Sequence, residues 1–591
     1  MRIIVYLRFC PKLRCSTLKI NLNLHKMKLN TLYEVLHESV KKFSDRVAFS
    51  IWRGAEVTYK EVGERVERIQ EMLKDADIQP GDRVAILSSS VPNWGVSYFA
   101  ITSAGYVVVP IMPDFTSEDI DRIVEHSESK ALFVSDKLFS KLSKKTADRL
   151  NIVVRTKNLG ILSQKVKDGN GTTRIPQPDD LAAIIYTSGT TSQPKGVMHT
   201  HRTLTSQLWM IDKLFMVYES DIFLSVLPLA HTYECTIGLI LAFNHGSHVV
   251  YLDKAPTVSV LMPAMREVRP TVMLTVPLII EKVYRGAVLK KFTANKFIST
   301  LYGVGFIRRA LHRVAGKKLT KTFGGRIRFF GIGGAKLDTT VEQFLQESNF
   351  IYDIGYGLTE TAPLLAGAVD GMLRVGSTGP LLTGIEGRLE NVNPQTGIGE
   401  LLVKTPSLMV GYYKNEEATR EVITEDGWFR TGDLASFDDD GWLYIRGRSK
   451  NVILGPSGEN IFPEDIESVL NQHVFINESL VIEQEGHLVA LVNIDKDAIE
   501  ARYAELVDTW HQKKEEWIKF RDEKMEEIKQ YVNERVNRYS RVDEVVEEEQ
   551  EFVKTPSKKI RRFLYNNRPK GVTTAPTAEQ SDKNEAQPTE K

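Results

Sequence analysis

Apolar residues follow two alternating patterns along most of the chain. Short runs rich in β-branched residues, such as Arg83 to Leu87 and Tyr106 to Ile111, are typical of buried strands. Between them lie longer segments with apolar residues on one face, such as Thr58 to Leu73 and Trp94 to Ala104, which indicate helices. This alternation predicts an α/β fold in which helices cover parallel sheets.

The same alternation continues towards the C-terminus. Further strands are predicted at Val47 to Trp52, Ala131 to Ser135, Leu181 to Tyr186, Phe223 to Leu229, Ser247 to Leu252 and Val272 to Val276. A loop rich in Gly, Thr, Pro and Asp is predicted at Lys165 to Asp180. His231 is expected at the end of the strand that begins at Phe223. A histidine in that position alone is more often structural than functional.

The pattern changes beyond Asn451 to that of a smaller α+β unit. Phe462 to Glu467 predicts the start of a helix with acidic residues in its first turn, and His487 to Ile494 predicts a strand. Ala501 to Val536 is highly charged and indicates a surface helix or a helical hairpin. The residues after Tyr565 lack aromatic side chains, which predicts a disordered tail.

Composition narrows the class of protein. The chain has 591 residues, of which 42% are hydrophobic and 26% charged, so several subdomains of a globular protein are expected. A formal net charge of +1 argues against nucleic-acid binding through bulk positive charge. The three cysteines have no metal-site spacing, which favours a reducing, cytoplasmic compartment. No apolar run approaches the roughly 20 residues of a membrane-spanning helix, so any membrane contact is expected to be peripheral, on the inner face.

The first 26 residues are basic and contain no acidic residue, as in a transit peptide. The alternative is translation from Met27, where a segment typical of a first amphipathic helix begins. We favour the start at Met27.

The residues after the predicted strand Leu181 to Tyr186 suggest an oxyanion site. They combine hydroxyls, a glycine and a lysine, all suited to phosphate binding: Thr187, Ser188, Gly189, Thr190, Thr191 and Lys195. The segment is not a Walker A loop, because Pro194 stands where the second glycine belongs and Gly196 follows the lysine. An ordinary polar turn is the alternative interpretation.

Two glycine-rich turns follow predicted strands further along. These contain Gly333, Gly334 and Ala335, and then Tyr356, Gly357, Thr359 and Glu360. Ligands of open α/β sheets bind at such strand ends. Tyr356 offers a stacking face and Glu360 a hard oxygen ligand for Mg²⁺. Asp433, expected after a strand-like turn, could accept hydrogen bonds from ribose hydroxyls.

The helical region from Lys282 to Lys321 is unusually basic. A solvated helix face is the ordinary explanation. Attraction to an anionic membrane surface or to a polyanionic cosubstrate is the alternative. The sequence leaves both open.

Taken together, the motifs resemble those of the adenylate-forming (AMP-binding) superfamily. In family order they are YTSGTTSQPKGV, LPLAHTYE, GIGGAKL, YGLTET, WFRTGD, GRSKNVI with GEN, and KTPSKKIRR, and the resemblance runs from about Leu32 to Tyr565. LPLAHTYE, VPLIIEKVY and KTPSKKIRRFLY are most similar to the long-chain fatty acyl-CoA synthetases. The resemblance implies a large N-terminal α/β domain of several subdomains (27–449) and a small mobile C-terminal domain (450–565). The extension 1–26 and the tail 566–591 flank them.

The resemblance also implies the chemistry. A fatty acid carboxylate attacks the α-phosphorus of ATP with Mg²⁺, pyrophosphate leaves, and the thiol of CoA displaces AMP from the acyl-adenylate. The roles implied are phosphate binding for Thr187 to Lys195, adenine binding for Gly333, Gly334, Ala335, Tyr356 and Gly357, contact with the α-phosphate for Thr359, Mg²⁺ binding for Thr190 and Glu360, and ribose binding for Asp433 and Arg448. Lys559 matches the lysine that bridges carboxylate and α-phosphate, His231 the acyl-site motif, and Lys450 the hinge between the domains. The loop from Gly455 to Asn460 would face the pantetheine.

The sequence departs from the family pattern at two positions. Ser192 replaces a usual glycine, which would cost roughly 1–2 kcal/mol if φ is positive there, and we interpret it as a tolerated variant. Lys558 replaces the glycine before Lys559 and makes the choice of catalytic lysine less direct. The acyl chain length, CoA or acyl carrier protein as acceptor, and the oligomeric state stay open.

Overall fold

The structure is a computed structural model. It describes residues 30–187, 194–289, 292, 302–369, 371–455, 459–495, 514–555 and 559–566. The predictions for the N-terminal extension and for the tail after residue 566 lie outside these residues.

A large domain contains three sheets. In chain order its strands are β1 (Val47–Ile51), β2 (Glu56–Thr58), β3 (Arg83–Leu87), β4 (Val107–Ile111), β5 (Ala131–Val134), β6 (Ile152–Arg155), β7 (Ile161–Gln164), β8 (Leu181–Thr187), β9 (Lys195–Thr200), β10 (Ile222–Ser225), β11 (His248–Tyr251), β12 (Val272–Thr275), β13 (Phe329–Ile332), β14 (Asp353–Gly357), β15 (Leu364–Ala368), β16 (Glu386–Glu390), β17 (Gly399–Lys404), β18 (Gly411–Tyr412), β19 (Phe429–Phe437) and β20 (Leu443–Arg448). Two sheets have eight strands each, in the orders β15-β14-β13-β12-β10-β11-β1-β2 and β18-β9-β8-β4-β3-β5-β6-β7. Parallel pairs form the centre of both. The third sheet, β16-β17-β19-β20, is antiparallel.

Helices cover the two large sheets, as the alternation of the sequence predicts. They are α1 (Leu32–Phe43), α2 (Tyr59–Asp75), α3 (Pro92–Ser103), α4 (Ser117–His126), α5 (Asp136–Phe139), α6 (Lys144–Ala147), α7 (His201–Leu214), α8 (Ala242–Asn244), α9 (Val258–Val268), α10 (Pro277–Val283), α11 (Gly305–Thr322), α12 (Thr339–Ser348) and α13 (Glu416–Val422). Thr58 caps α2, and Glu61 returns a hydrogen bond to the cap backbone. All residues of α3 are buried, so this helix lies in the core rather than on a surface.

A buried carboxylate ties strands of the first large sheet together. Asp221, which precedes β10, is 2% exposed and accepts hydrogen bonds from Arg328, next to β13, and from Thr271 Oγ1 at 2.8 Å. Burial opposes ionisation of Asp221, but the hydrogen bonds from Arg328 and the other donors outweigh it, and the pKa is lowered.

The smaller C-terminal domain has its own sheets and core. Its elements are β21 (Ile453–Leu454), β22 (Asn460–Ile461), α14 (Pro463–Leu470), β23 (Ile476–Gln484), β24 (His487–Ile494), α15 (Lys514–Asn533), β25 (Glu544–Glu547) and α16 (Phe563–Asn566). β23 pairs antiparallel with β24, and β24 pairs parallel with β25. The predicted α+β character is confirmed, and β24 has the predicted bounds.

Polar contacts join the two domains at the surface. The Lys336 ammonium lies 2.6 Å from Asp465 Oδ1 in the first turn of α14, and Arg285 Nη1 donates to the carbonyl of Ile476 at 3.4 Å. The first pair remains solvent-accessible, with side chains 36% and 49% exposed.

Two local predictions are wrong, and one further segment has a structure for which no prediction was made. The strand predicted from Phe223 to Leu229 is shorter, since β10 ends at Ser225 and His231 is therefore not at its end. Pro228, between them, has no backbone N–H to donate to a neighbouring strand. Asp433 lies inside β19 and not after a turn, because β19 begins at Phe429, continues past Asp433 to Phe437 and pairs Asp433 with Arg448 on β20. The apolar run after His231 is a π-helix, Glu234–Leu241, whose hydrogen-bond pattern an apolar run does not reveal.

Candidate active site

The turns that follow the parallel strands β13 and β14 lie side by side, and the space beside them is the candidate cleft. Gly334 has φ +84°, a left-handed conformation that favours glycine. A Cβ at Gly331 would lie 2.8 Å from the Tyr233 hydroxyl oxygen, so the missing side chain lets Tyr233 pack against the strand end. Gly334 and Ala335 are exposed, whereas Gly333 is buried.

Glycine is required at position 357 for a different physical reason. A Cβ there would lie 1.9 Å from the carbonyl oxygen of Pro363. The close approach of two backbone segments therefore requires glycine at this position, independently of any ligand.

Asp433 connects two predicted nucleotide-binding residues. Its carboxylate accepts a hydrogen bond from the Tyr356 hydroxyl at 2.5 Å and lies 2.8 Å from Arg448 Nε. Asp433 is 3% exposed, and burial raises its pKa although Arg448 and Tyr356 oppose the shift. The strand pairing of β19 with β20 and the end of β14 hold these three side chains together. An acceptor fixed in this way suits hydroxyl donors such as those of a ribose.

Glu360 lies in a second group of site residues. Tyr412, from the edge strand β18, donates its hydroxyl to Glu360 Oε1 at 2.9 Å. The ammonium of Lys195 lies 5.0 Å from the centre of the Tyr412 ring, a cation–π arrangement. The backbone carbonyl of Thr359 contacts His199 Nε2 at 2.8 Å, and burial lowers the pKa of His199 to about 4. At neutral pH His199 is therefore neutral, and its tautomer with a proton on Nε2 holds the Thr359 turn.

Lys559 reaches this cleft from the C-terminal domain. Its backbone N–H donates to Thr555 Oγ1 at 3.1 Å, and Thr555 N donates to the Lys559 carbonyl at 2.7 Å, which closes a short hairpin. Burial of the ammonium and the charge of Arg448 lower its pKa, while Asp433 and Glu360 act in the opposite direction. The residue as a whole keeps exposed surface, while its ammonium lies among the charges of Arg448, Asp433 and Glu360.

The charge of Lys559 acts on the imidazole of His231. Burial, and then Lys559, lower the pKa of His231 to about 4. The imidazole is therefore neutral near pH 7. Its Nδ1 accepts a hydrogen bond from the backbone N–H of Tyr233 at 3.2 Å, which fixes the ring. His231 can line or polarise the site but cannot supply a cation there.

The donors present fit Mg²⁺ only if a substrate supplies most of the ligands. No group of three or more His, Cys, Asp or Glu side chains that could hold a metal occurs among the residues that the structure describes. Glu360 offers one carboxylate in the cleft. One protein carboxylate combined with substrate phosphates and water is a usual arrangement for Mg²⁺.

Part of the predicted phosphate loop lies outside the described residues. This applies to Ser188, Gly189, Thr190, Thr191 and Ser192, and Lys558 lies outside them as well. Thr187 and Lys195, which flank the loop, pair across the antiparallel strands β8 and β9. Lys450 is exposed in the single turn Ser449–Asn451, directly after Arg448.

Sequence reasoning missed three residues of the cleft, namely His199, Tyr233 and Tyr412. Each acts through a partner distant in the sequence: Tyr412 is 52 residues from Glu360 and His199 is 160 residues from Thr359. The neighbouring motifs LPLAHTYE and GYYKN contain the two tyrosines, but no local pattern indicates which aromatic side chain faces the site.

A large α/β domain and a small domain that brings Lys559 near Asp433 and Glu360 are what the resemblance to adenylate-forming enzymes implies. The sequence profile of the AMP-binding enzyme family matches residues 36–413, and the chain belongs to this family. Long chain acyl-CoA synthetase 1 of Arabidopsis thaliana is 30% identical over 512 residues, which cover 76% of each chain. Long-chain-fatty-acid–CoA ligase FadD15 of Mycobacterium bovis is also 30% identical, over 77% of this chain and 80% of its own.

Solved structures agree with this fold. The o-succinylbenzoate CoA synthetase of Bacillus subtilis, in complex with its acyl-adenylate intermediate, aligns with a TM-score of 0.72 at 22% identity over 91% of this chain and 99% of its own. ATP-bound MatB of Rhodopseudomonas palustris aligns with a TM-score of 0.73, also at 22% identity, over 92% and 100%. The protein is an adenylate-forming acid–CoA ligase.

Proposed function

We propose that this protein is a long-chain fatty acid–CoA ligase, which forms acyl-AMP from a fatty acid and ATP and then transfers the acyl group to CoA. The observation that carries the adenylation step is the cluster of Lys559, Arg448, Asp433 and Glu360 in one cleft, with cations and carboxylates within electrostatic reach of each other. The choice of a long-chain acid is supported by the names of the relatives at 30% identity.

Each side chain has a role in this proposal. The difficulty of the first half-reaction is that a carboxylate must approach a negatively charged phosphate, so the site must neutralise charge and hold both groups in line. Lys559 bridges the attacking carboxylate and the α-phosphate, Lys195 and Thr187 bind the leaving pyrophosphate, and Asp433 with Arg448 holds the ribose. Neutral His231 lines the acyl side of the cleft. Mg²⁺, held by Glu360 and the phosphates, would supply further positive charge.

The small domain is proposed to turn about Lys450. The last strand of the large domain, β20, ends at Arg448, and the first strand of the small domain, β21, begins at Ile453. A boundary between residues 449 and 450 therefore falls in a short exposed turn, where a backbone rotation disturbs no sheet. After such a rotation the loop from Gly455 to Asn460, of which residues 456–458 lie outside the described residues, would face the pantetheine of CoA.

The decisive experiment is a chain-length series. Pyrophosphate release and thioester formation are measured with acids from two to twenty carbons, with and without CoA. We expect kcat/KM to rise with chain length to a maximum among the long-chain acids, and thioester formation to require CoA. Each buried CH₂ contributes about 0.8 kcal/mol, so kcat/KM should change roughly fourfold per carbon until the acyl site is filled.

Other outcomes identify the alternatives. A maximum at short or aromatic acids would reject the long-chain assignment and keep the ligase class. Pyrophosphate release with no CoA thioester, but with transfer to the phosphopantetheine of acyl carrier protein, would identify a different acceptor. Absence of pyrophosphate release with every acid would indicate a non-catalytic nucleotide or lipid binder.

We propose a cytoplasmic location for this reaction. Cys235 is a buried free thiol, and burial raises its pKa to about 12, which keeps it protonated and unreactive. Among the described helices, none has both the length and the apolar character needed to cross a bilayer.

A further inference from the structure

Helix α11 packs against the large domain through one face only. His312, Gly316 and Leu319 are buried on that face. A Cβ at Gly316 would lie 2.3 Å from the carbonyl oxygen of Ser348, so α11 and the end of α12 approach closely. Arg308 Nη2 lies 2.8 Å from Glu347 Oε1 on α12. The inner face is thus packed and its arginine is paired.

The outer face of α11 has an unusual composition. The eighteen-residue helix contains no acidic residue, and its exposed cations are Arg309, Arg313, Lys317, Lys318 and Lys321. Arg309 lies 3.9 Å from Glu347, at the inner edge of the helix. Two large apolar side chains share the outer surface: Phe306 is 75% exposed and Val314 is 69% exposed. At 100° per residue, Phe306, Arg313 and Lys317 lie within 40° of each other.

An ordinary solvated helix does not have this composition. Helix α15 is a comparison within the same chain, because its lysines are balanced by glutamates, as in the pair of Lys524 with Glu527 and the pair of Lys529 with Glu526. On the outer face of α11, the cations from Arg313 to Lys321 form no ion pair with any residue that the structure describes, and they lie beside the exposed Phe306. A soluble polyanion would compensate the charge but would not bury Phe306.

We propose that the outer face of α11 is a docking surface for an anionic lipid bilayer. Lysine and arginine ammonium and guanidinium groups bind the headgroups, while Phe306 and Val314 enter the boundary between headgroups and acyl chains. The helix lies in the plane of the interface and does not span the bilayer. This surface holds the enzyme where apolar carboxylic acids partition. Docking itself does not depend on the proposed reaction, so the two can fail independently.

The test is cosedimentation of the full-length protein with vesicles. Vesicles of phosphatidylcholine alone are compared with vesicles containing 30% phosphatidylglycerol, at two salt concentrations. The variant is the triple charge reversal Arg313→Glu, Lys317→Glu and Lys321→Glu. The matched control is Lys137→Glu, Lys144→Glu and Lys145→Glu, which makes the same change of charge at exposed residues of α5 and α6.

We expect the wild type and the control triple to bind anionic vesicles and to be released by salt. The α11 triple should bind at least about 100-fold more weakly, since each basic residue near such a surface contributes about a fivefold factor. Phe306→Ala should weaken binding about tenfold, with less dependence on salt. Turnover of a short, water-soluble acid is measured for every variant as a check on folding.

Two results would overturn the proposal: vesicle binding by the α11 triple equal to that of the wild type, and an equal loss of binding in the control triple. In the first case, a raised KM for CoA in the α11 triple would assign the cations to a soluble polyanion instead.

Discussion

Replacement of Lys559 by alanine tests the centre of the proposed mechanism. The cleft contains two carboxylates, Glu360 and Asp433, and two cations, Lys559 and Arg448. Without Lys559, an incoming carboxylate meets a site with one more uncompensated negative charge. One unit charge at about 5 Å, with an effective dielectric constant of about 20, contributes roughly 3 kcal/mol, or about 200-fold in rate. Because Lys559 remains partly in solvent, we expect the lower part of the range of 10²–10³.

The assay separates the two half-reactions. Adenylation is followed as pyrophosphate release with a saturating fatty acid, and the second step is followed from synthetic acyl-adenylate and CoA. We expect Lys559→Ala to lose adenylation at least about 100-fold, to form thioester from acyl-adenylate at near the wild-type rate, and to bind ATP with less than about a threefold change in Kd. A merely unfolded hairpin would not produce this pattern.

Lys554→Ala is the matched control in the same hairpin. Lys554 is bridged to Ile560 through the backbone, and its ammonium pairs with Glu478 at 2.6 Å inside the small domain. The variant Lys554→Ala should therefore retain the wild-type rate of adenylation to within a few-fold. Equal losses in both variants, or wild-type adenylation in Lys559→Ala, would refute the assignment of Lys559.

Three further predictions concern Tyr412, Lys559 and the buried carboxylate of Asp221. Tyr412→Phe removes the hydroxyl bound to Glu360, so it should lower kcat/KM for MgATP about tenfold and raise the Mg²⁺ concentration required. Tyr413→Phe is the control and should change neither quantity. Equal effects of the two substitutions would contradict the role of Tyr412. Adenylation needs charged Lys559, whose pKa is lowered, so the adenylation rate should fall at a lower pH than an ordinary lysine would cause. This fall at alkaline pH should be absent from the residual activity of Lys559→Arg. If the fall persists in that variant, it belongs to another group. Asp221→Asn breaks a buried ion pair and should lower the free energy of unfolding by about 3 kcal/mol at pH 7, measured as a fall in Tm. Because the pKa of Asp221 is lowered in the folded state, this difference should be present above about pH 4 and shrink in stronger acid; a constant difference would show that charge is not its cause.

Much of the fold could be predicted where a local pattern decides the structure. The strands Arg83–Leu87 and His487–Ile494 have their predicted bounds because each is a short apolar run between turns. The π-helix Glu234–Leu241 could not be predicted, since an apolar run carries no information about which carbonyl each N–H selects. Asp433 was misplaced because glycines before it indicated a turn, whereas pairing with β20 extends the strand.

The site shows the same division between local and distant information. Glu360, Asp433 and Lys559 could be selected because each stands in a motif that resembles the family pattern. Tyr412 could not be selected, because its importance comes from a hydroxyl that reaches Glu360 across the cleft. The lowered pKa of His231 could not be predicted from the sequence either, since it arises from burial and from a lysine more than 300 residues away.

The exposed contacts between the domains bear on how long the small domain stays in the position described here. The Lys336–Asp465 pair lies in solvent, and exposed ion pairs contribute about 0–1 kcal/mol and weaken with salt. A difference of 1 kcal/mol changes a two-state population only about fivefold. If the small domain turns about Lys450 as proposed, the fraction of time that Lys559 spends over the cleft should respond to ionic strength and to charge at these two positions. Charge reversal at one of them, such as Lys336→Glu, should then change the share of the catalytic cycle given to each half-reaction while leaving every group that touches substrate in place.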